Sequence, residues 1–273
     1  MVTEFRDPNT PSDQVLRQAR SSGVMQGAAQ SVDGTALGVL WDAVETEEGR
    51  QTSSGELVLG ERSRARVAGY LRPFHIPEPL VGEPRPLHAA LGLLMEARLA
   101  DDPGTDNVTA ALDPVEYDSI RADGVRPGST TSVIRFLEGI AAMLGLDTEQ
   151  LHPAEALAEV TDRRERGAYL THPTQAPDRS WILDWEPLVR AALADLVAGA
   201  PVGRIAARVD NGLVDGMTRV TGVMNVETVV LAGRSFRNRH LRLRAVTALR
   251  AQGHRVILGA GARRERAAAE GVH

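Results

Sequence analysis

Residues 226–259 have the sequence VETVVLAGRSFRNRHLRLRAVTALRAQGHRVILG, and this stretch decides the fold class. The apolar, β-branched run at 226–233 predicts a buried strand that ends at Gly233. Apolar residues at helical spacing predict a helix over 236–252, and the segment HRVILG after it predicts a second strand. A strand, a helix and a strand in this order form a βαβ unit with a parallel pair of strands.

The rest of the chain extends this unit to a mixed α/β fold. Repeated prolines over 71–86 predict an extended connection, and the alanine-rich end at 263–273 is predicted to be disordered. Strands are predicted at about 37–44 and 56–59, with a weak strand from residue 23 to a tight turn at 33–35. Helices are predicted at about 12–21, 87–99, 130–144, 153–166, 185–197 and 201–220.

Composition excludes several classes of function. The 36 acidic and 31 basic residues are spread along the chain and give a net charge of −5, so binding to nucleic acid is not expected. Every basic residue is an arginine, which leaves guanidinium groups and backbone amides as the anion ligands. The absence of cysteine excludes disulfides and thiolates and favours a cytoplasmic location. We find no apolar run long enough to span a membrane.

Five segments, in order, resemble the HypF-type carbamoyltransferase family, which includes TobZ-like antibiotic carbamoyltransferases. Asp33-Gly34-Thr35 resembles the family's DGT phosphate turn, and residues 55–79 resemble its stretch from GGEFL to HLRPFPLPGG. Residues 128–138 resemble the start of a TSSxGRLFDA helix, and RVDNGL at 208–213 resembles RFHNxL. The strand that ends in LAGR, with the helix after it, resembles the LSGGVFQN segment.

This resemblance implies an actin-like, ribonuclease-H-like fold. An N-terminal arm and short helix at 1–21 would precede an incomplete first lobe at 22–125, and a complete second lobe would occupy 126–262. In this family a cleft between the lobes binds a nucleotide or an acyl-adenylate. The chain is thus expected to be a degenerate, N-terminally truncated relative.

The family's metal ligands are missing from the expected places. No histidine precedes Asp33 where the family has HHHAH, and no DGG turn follows Gly259. None of the seven histidines shows the paired spacing of a metal site, so we expect no metal and no cofactor. ATP or carbamoyl-adenylate is expected only if carbamoyl transfer is retained.

The resemblance also implies a set of site residues. Glu138 and Asp33 are the predicted proton-handling residues. The predicted ligands of a substrate anion are Gly34, Thr35, Ser129, Thr130, Thr131, Ser132, Arg135, Asp210, Asn211, Gly233, Arg234 and Asn238.

Each part of this site has a structural alternative. From the residues alone the turn at 33–35 is more typical of a hairpin, and hydroxyls at 129–132 are typical of helix capping. Arg135 and Glu138, three apart on a helix, form either a cleft pair or a surface ion pair. Arg234 stands where the family has glycine, so its side chain either blocks a nucleotide or binds a smaller anion.

Three functions follow as hypotheses. The first is a metal-free enzyme subunit, in a lyase or transferase, that binds an anionic small molecule and needs a second chain to complete its site. Its candidate reaction is aziridine ring closure with loss of sulfate, as in azinomycin-type antibiotic biosynthesis. The second is carbamoyl transfer from carbamoyl-adenylate with metal ligands from a partner, and the third is a non-catalytic scaffold.

Overall fold

The computed structural model describes residues 19, 23–41, 44–45, 51–52, 55–61, 64–124, 126, 130–146, 153–259 and 262. The predicted arm at 1–21, apart from Ala19, and the predicted disordered tail at 263–273 lie outside these residues. The strands are β1 Thr35–Trp41, β2 Val44–Glu45, β3 Gln51–Thr52, β4 Gly55–Glu61, β5 Arg64–Leu71, β6 His172–Gln175, β7 Trp181–Asp184, β8 Thr228–Ala232 and β9 Arg255–Leu258.

Among the described residues, five helices lie between β5 and β6, and two more lie between β7 and β8. The helices are α1 Val24–Gln30, α2 Pro86–Glu96, α3 Asp106–Thr109, α4 Pro114–Asp123, α5 Val133–Met143, α6 Pro153–Val160, α7 Glu186–Val197, α8 Val202–Met224 and α9 Arg239–Ala251, with a 3-10 turn at Arg234–Arg237. The predicted α/β class is confirmed. The βαβ unit of the opening stretch is β8, α9 and β9.

One seven-stranded sheet, in the order β6-β7-β5-β4-β1-β8-β9, organises the described chain. β1, β4 and β5 form an antiparallel meander, whereas β8 and β9 lie parallel to β1. β7 lies parallel to β5, and β6 completes the other edge. Strands on both sides of the predicted boundary at 125/126 belong to this sheet. The boundary therefore does not separate two sheets.

Both faces of the central strand β1 are buried because apolar residues occupy nearly every position. One face belongs to the main core formed with α2, α5, α8 and α9, and the other packs against α1. Gly27 of α1 lies close to the sheet, since a Cβ there would be 2.8 Å from Cγ2 of Val230. The main-core face carries Leu37, Val39, Trp41, Leu57, Leu59, Val229 and Leu231.

The prediction of a weak strand before residue 33 is wrong, because Val24–Gln30 is the helix α1. Its small residues fit a helix that covers the second face of the sheet. The predicted helix at 153–166 ends at Val160. Strands β6 and β7 and helix α4 were not predicted, although Asp113 caps α4 and Pro114 begins it, which is a common start signal.

The carboxyl ends of β1, β8 and β5 meet at one edge of the sheet, where the antiparallel strand β4 begins. In open α/β sheets this edge is where ligands usually bind. Among the described residues, no helix is long and apolar enough to cross a membrane.

Candidate functional site

Aromatic stacking fixes the turn that follows β8. Trp41 ends β1, and its ring stacks on Phe236 with centroids 5.3 Å apart and an interplanar angle of 4°. Gly233 has a φ of 114°, which favours glycine, and the 3-10 turn begins at Arg234. This arrangement holds Arg234 at the carboxyl edge of the sheet.

Arg135, Glu138 and Arg234 come together beside this turn. Nη1 of Arg135 donates to Oε2 of Glu138 at 2.6 Å, and both side chains are largely buried, with 24% and 13% of their surface exposed. Burial raises the pKa of Glu138, while the charges of Arg135 and Arg234 oppose that rise. Two guanidinium groups thus lie near one carboxyl.

The hydroxyls before α5 are already engaged in hydrogen bonds within the protein. Oγ of Ser132 accepts from the Arg135 amide at 3.2 Å and caps the helix, as the capping alternative predicts. Oγ1 of Thr130 accepts from the Ser132 amide at 3.1 Å. Thr131 donates to Oε1 of Glu56 at 2.8 Å. Ser129 lies outside the described residues.

Glu56 is a residue that the sequence-based reasoning did not single out. It is 5% exposed at the start of β4, and its Oε2 has no hydrogen-bond partner among the described residues. Burial raises its pKa to about 7, against hydrogen bonds from Thr131 and from nearby backbone amides. The signal in the sequence that could have singled out Glu56 is its position as a charged residue at the start of the otherwise apolar segment GELVLG.

Asp210 and Asn211 are buried rather than open to a cleft. Oδ2 of Asp210 accepts from Nδ2 of Asn238 at 2.7 Å, and burial raises its pKa to about 7. Asn211 donates to the carbonyl of Gly167 at 2.7 Å, and its Oδ1 lies 3.1 Å from Nε2 of His240. These side chains join α8 to the turn and to α9, so the structure gives them a positioning role.

The prediction that Asp33, Gly34 and Thr35 share a site with Arg234 is wrong. β1 runs parallel to β8, with Ala36 beside Thr228 and Leu40 beside Ala232, so the turn at 33–35 lies at the opposite end of the strand. Seven residues of strand separate the two ends by about 20 Å.

Asp33 instead completes a local turn. It accepts from the amide and the hydroxyl of Thr35 at 3.0 and 2.6 Å, and these bonds lower its pKa. A carboxyl with a lowered pKa is a poor proton acceptor at neutral pH.

Comparison with known proteins assigns this chain to a family. The sequence model of a protein family, described as the carbamoyltransferase Kae1-like domain, second subdomain, matches residues 48–262 of this chain. The chain belongs to this family. The predicted relationship to HypF-type carbamoyltransferases is therefore confirmed, although the match begins well before the predicted boundary at residue 126. A comparison with curated protein sequences found no match.

Two solved HypF structures share the fold of this carbamoyltransferase-like domain. Full-length HypF in its phosphate- and nucleotide-bound form aligns with a TM-score of 0.69 and 18% identity, over 88% of this chain and 39% of that one. HypF of T. kodakarensis aligns with a TM-score of 0.61 and 15% identity, over 90% and 36%. The chain thus spans about two fifths of the length of these proteins.

Guanidinium groups are common ligands of anionic groups in proteins. Arg135 and Arg234 offer guanidinium groups at the sheet edge. Within the described parts of the chain, no three His, Asp or Glu side chains group as metal ligands would. Whether the protein uses a metal or a nucleotide stays a prediction.

Proposed function

We propose that this carbamoyltransferase-like domain is a metal-free subunit that binds the sulfate or phosphate group of a small substrate between Arg135 and Arg234. The observation that supports this most strongly is the grouping of both arginines around the buried carboxyl of Glu138. A guanidinium fork matches the oxygens of such a group, and partial burial strengthens the attraction.

The candidate reaction is closure of an aziridine ring. The nitrogen of a neutral amine forms a bond to the neighbouring carbon, the carbon–oxygen bond to sulfate breaks, and sulfate leaves with the electron pair. The proton lost from nitrogen passes to Glu138, whose pKa is raised by burial. The two arginines stabilise the charge that develops on the departing sulfate.

A second chain is part of this proposal. We infer a cytoplasmic heterodimer of antibiotic biosynthesis, in which a second chain contributes further groups around Arg135, Glu138 and Arg234. Family membership favours one alternative, carbamoyl transfer from carbamoyl-adenylate, in which the partner would supply metal ligands.

Calorimetry on the chain, alone and with a co-expressed partner, tests the proposal. Sulfate and phosphate should bind without a metal ion, and Arg234→Ala or Arg135→Ala should weaken that binding at least tenfold. Arg239→Ala is the matched control, because Arg239 is exposed on α9.

Each other outcome supports a different function. Magnesium-dependent binding of ATP with no binding of sulfate would overturn the proposal in favour of carbamoyl transfer. Partner activity that is indifferent to Arg234→Ala and Glu138→Ala would indicate a scaffold.

A further inference from the structure

The loop at residues 162–167 follows α6 and lies against helix α8. The amide of Asp162 donates to the carbonyl of Gly203 at 2.8 Å. At the other end of the loop, Nδ2 of Asn211 donates to the carbonyl of Gly167 at 2.7 Å. Both Gly203 and Asn211 belong to α8, so this helix fixes the loop at its two ends.

The start of α9 lies against the same asparagine. Oδ1 of Asn211 is 3.1 Å from Nε2 of His240, which is the second residue of α9. Because Nδ2 of Asn211 already donates to the loop, Oδ1 is the acceptor and Nε2 of His240 carries the hydrogen. Arg244 follows His240 by four residues and therefore lies on the same face of α9. The loop and this face of α9 thus meet at Asn211.

Three positive charges lie near His240 at this meeting point. Burial lowers the pKa of His240, and three nearby guanidinium groups lower it further. They belong to Arg244 of α9 and to Arg166 and Arg163 of the loop, and we call them the junction arginines. The negative charge of Asp162 opposes their effect. Positive charge is therefore in excess here.

The junction arginines have no ion pair with a described residue, whereas eight other arginines of the described chain pair with carboxylates. The second carboxylate of the loop, Glu165, pairs with Arg204 and Arg208 of α8 instead. Nε of Arg244 is buried and has no hydrogen-bond partner among the described residues. Since buried donors are nearly always satisfied, this excess of guanidinium groups favours an anion as the missing partner.

The junction arginines are a separate group from the residues at the sheet edge. Burial raises the pKa of Glu138, and the charges that oppose this rise are those of Arg135 and Arg234. The charges that lower the pKa of His240 are those of the junction arginines. The two groups share no member, so an anion at one need not occupy the other.

We propose that the junction arginines bind a diphosphate group, with one phosphoryl group beside the loop and the other beside α9. Guanidinium groups match phosphate oxygens with two N–H donors at a time, and a diphosphate offers such oxygens to both elements. Arg163 and Arg166 are exposed, so the anion reaches them from solvent, while the partial burial of Arg244 strengthens its attraction. This inference does not depend on the function proposed above.

Calorimetry with diphosphate and with phosphate tests this site on the full chain. Diphosphate should bind at least about tenfold more tightly than phosphate, because it engages guanidinium groups of both elements. Arg163→Ala and Arg166→Ala should each weaken diphosphate binding about tenfold. The same binding should persist in Arg234→Ala, in which the sheet-edge site is disrupted. Both loop arginines are exposed, so their removal leaves no cavity.

Arg164→Ala is the matched control, because Arg164 is exposed in the same loop and is not one of the junction arginines. Equal weakening by Arg164→Ala and Arg166→Ala would reveal general attraction to surface charge and would overturn the site. A wild-type chain that binds diphosphate no better than phosphate would overturn it as well. Binding that is lost in Arg234→Ala but kept in Arg166→Ala would belong to the sheet edge, which also sinks the inference.

Methyl diphosphate as a third probe distinguishes the two sources of such a group. Binding equal to that of diphosphate assigns the site to the diphosphate end of a larger molecule. Binding at least about tenfold weaker assigns it to free diphosphate, whose second phosphoryl group keeps all its oxygens for the arginines.

Discussion

Asn238 joins two helices through one side chain. Its Nδ2 donates to Oδ2 of Asp210 on α8 at 2.7 Å, while its Oδ1 accepts from the amides of His240 and Leu241 at the start of α9. Both Asp210 and Asn238 are fully buried. Because Asn238 follows the 3-10 turn directly, this pair also sets the position of Arg234.

Asp210→Ala should lower the free energy of unfolding by about 1–3 kcal/mol, because it leaves the buried amide of Asn238 without an acceptor. Asp210→Asn keeps an acceptor and should cost less. Urea unfolding measures both variants, with Asp215→Asn on the same helix as the control. An equal loss in the two Asp210 variants would contradict the role of this hydrogen bond.

The buried carboxyls should make stability depend on pH. Burial raises the pKa of Asp210 from 3.8 to about 7, so between these values the unfolded chain has lost its proton and the folded chain has kept it. The contribution of Asp210 to the free energy of unfolding is therefore greatest below pH 4. It falls by up to about 1.4 kcal/mol per pH unit as the pH rises to about 7, and it is constant above that pH.

Urea unfolding across this pH range checks the sign. Asp210→Asn should show a smaller fall in the free energy of unfolding than the wild-type chain. Adding Glu56→Gln should reduce the fall further, since burial raises the pKa of Glu56 to about 7 as well. An equal fall in the wild-type chain and in the variants would show that these carboxyls ionise in the folded protein as they do in the unfolded chain.

Glu138→Gln should increase the affinity for sulfate severalfold. The carboxylate competes with a bound anion for Arg135 and Arg234, and the amide removes that competition. Calorimetry with sulfate measures the change, with Glu159→Gln as an exposed control on α6. Weaker binding would mean that Glu138 is needed to orient Arg135.

Phe236→Ala should destabilise the protein by about 3–5 kcal/mol, because Phe236 is fully buried against Trp41. Phe236→Leu fills more of the space and should cost less. Unfolding followed by tryptophan fluorescence reports both variants. A loss in Phe236→Ala no greater than that in Phe236→Leu would contradict tight packing at this turn.

Gly55→Ala should destabilise the protein, since the added Cβ would collide with the carbonyl of Thr131. We expect a lower free energy of unfolding, measured by urea unfolding. Gly222→Ala is the control. Gly222 is exposed on α8, and a Cβ at this position would lie 3.7 Å from its nearest neighbour, Nε2 of Gln252. Unchanged stability in Gly55→Ala would show that the segment at Thr131 moves without cost.

Helices and strands were predicted correctly where the local pattern of apolar residues agrees with the packing of the folded protein. The run at 226–233 and the helix after it were predicted within a few residues, because β8 is apolar throughout and α9 has helical periodicity. α1 was missed because its small residues fit a helix on a sheet as well as a weak strand. Whether these residues form a helix or a strand depends on their tertiary packing.

The site was only partly predictable for a related reason. Arg135 and Glu138 are three apart on one helix, so their pairing follows from local geometry. Whether Asp33 lies near Arg234 depends on the direction of β1 relative to β8, and a motif resembling a phosphate turn carries no information about that direction. Glu56 was overlooked because its burial is created by residues distant in the chain.

The hydrogen bond from the Val32 amide to Glu227 spans 195 residues, and the pairing of β1 with β8 joins the same distant regions. During synthesis on the ribosome, β1 therefore lacks its parallel neighbour until the C-terminal strands have been made. Until then one edge of an apolar strand stays open to other chains. Yield of this protein in a host cell should accordingly depend on chaperones that shield that edge, and on how quickly translation reaches β8.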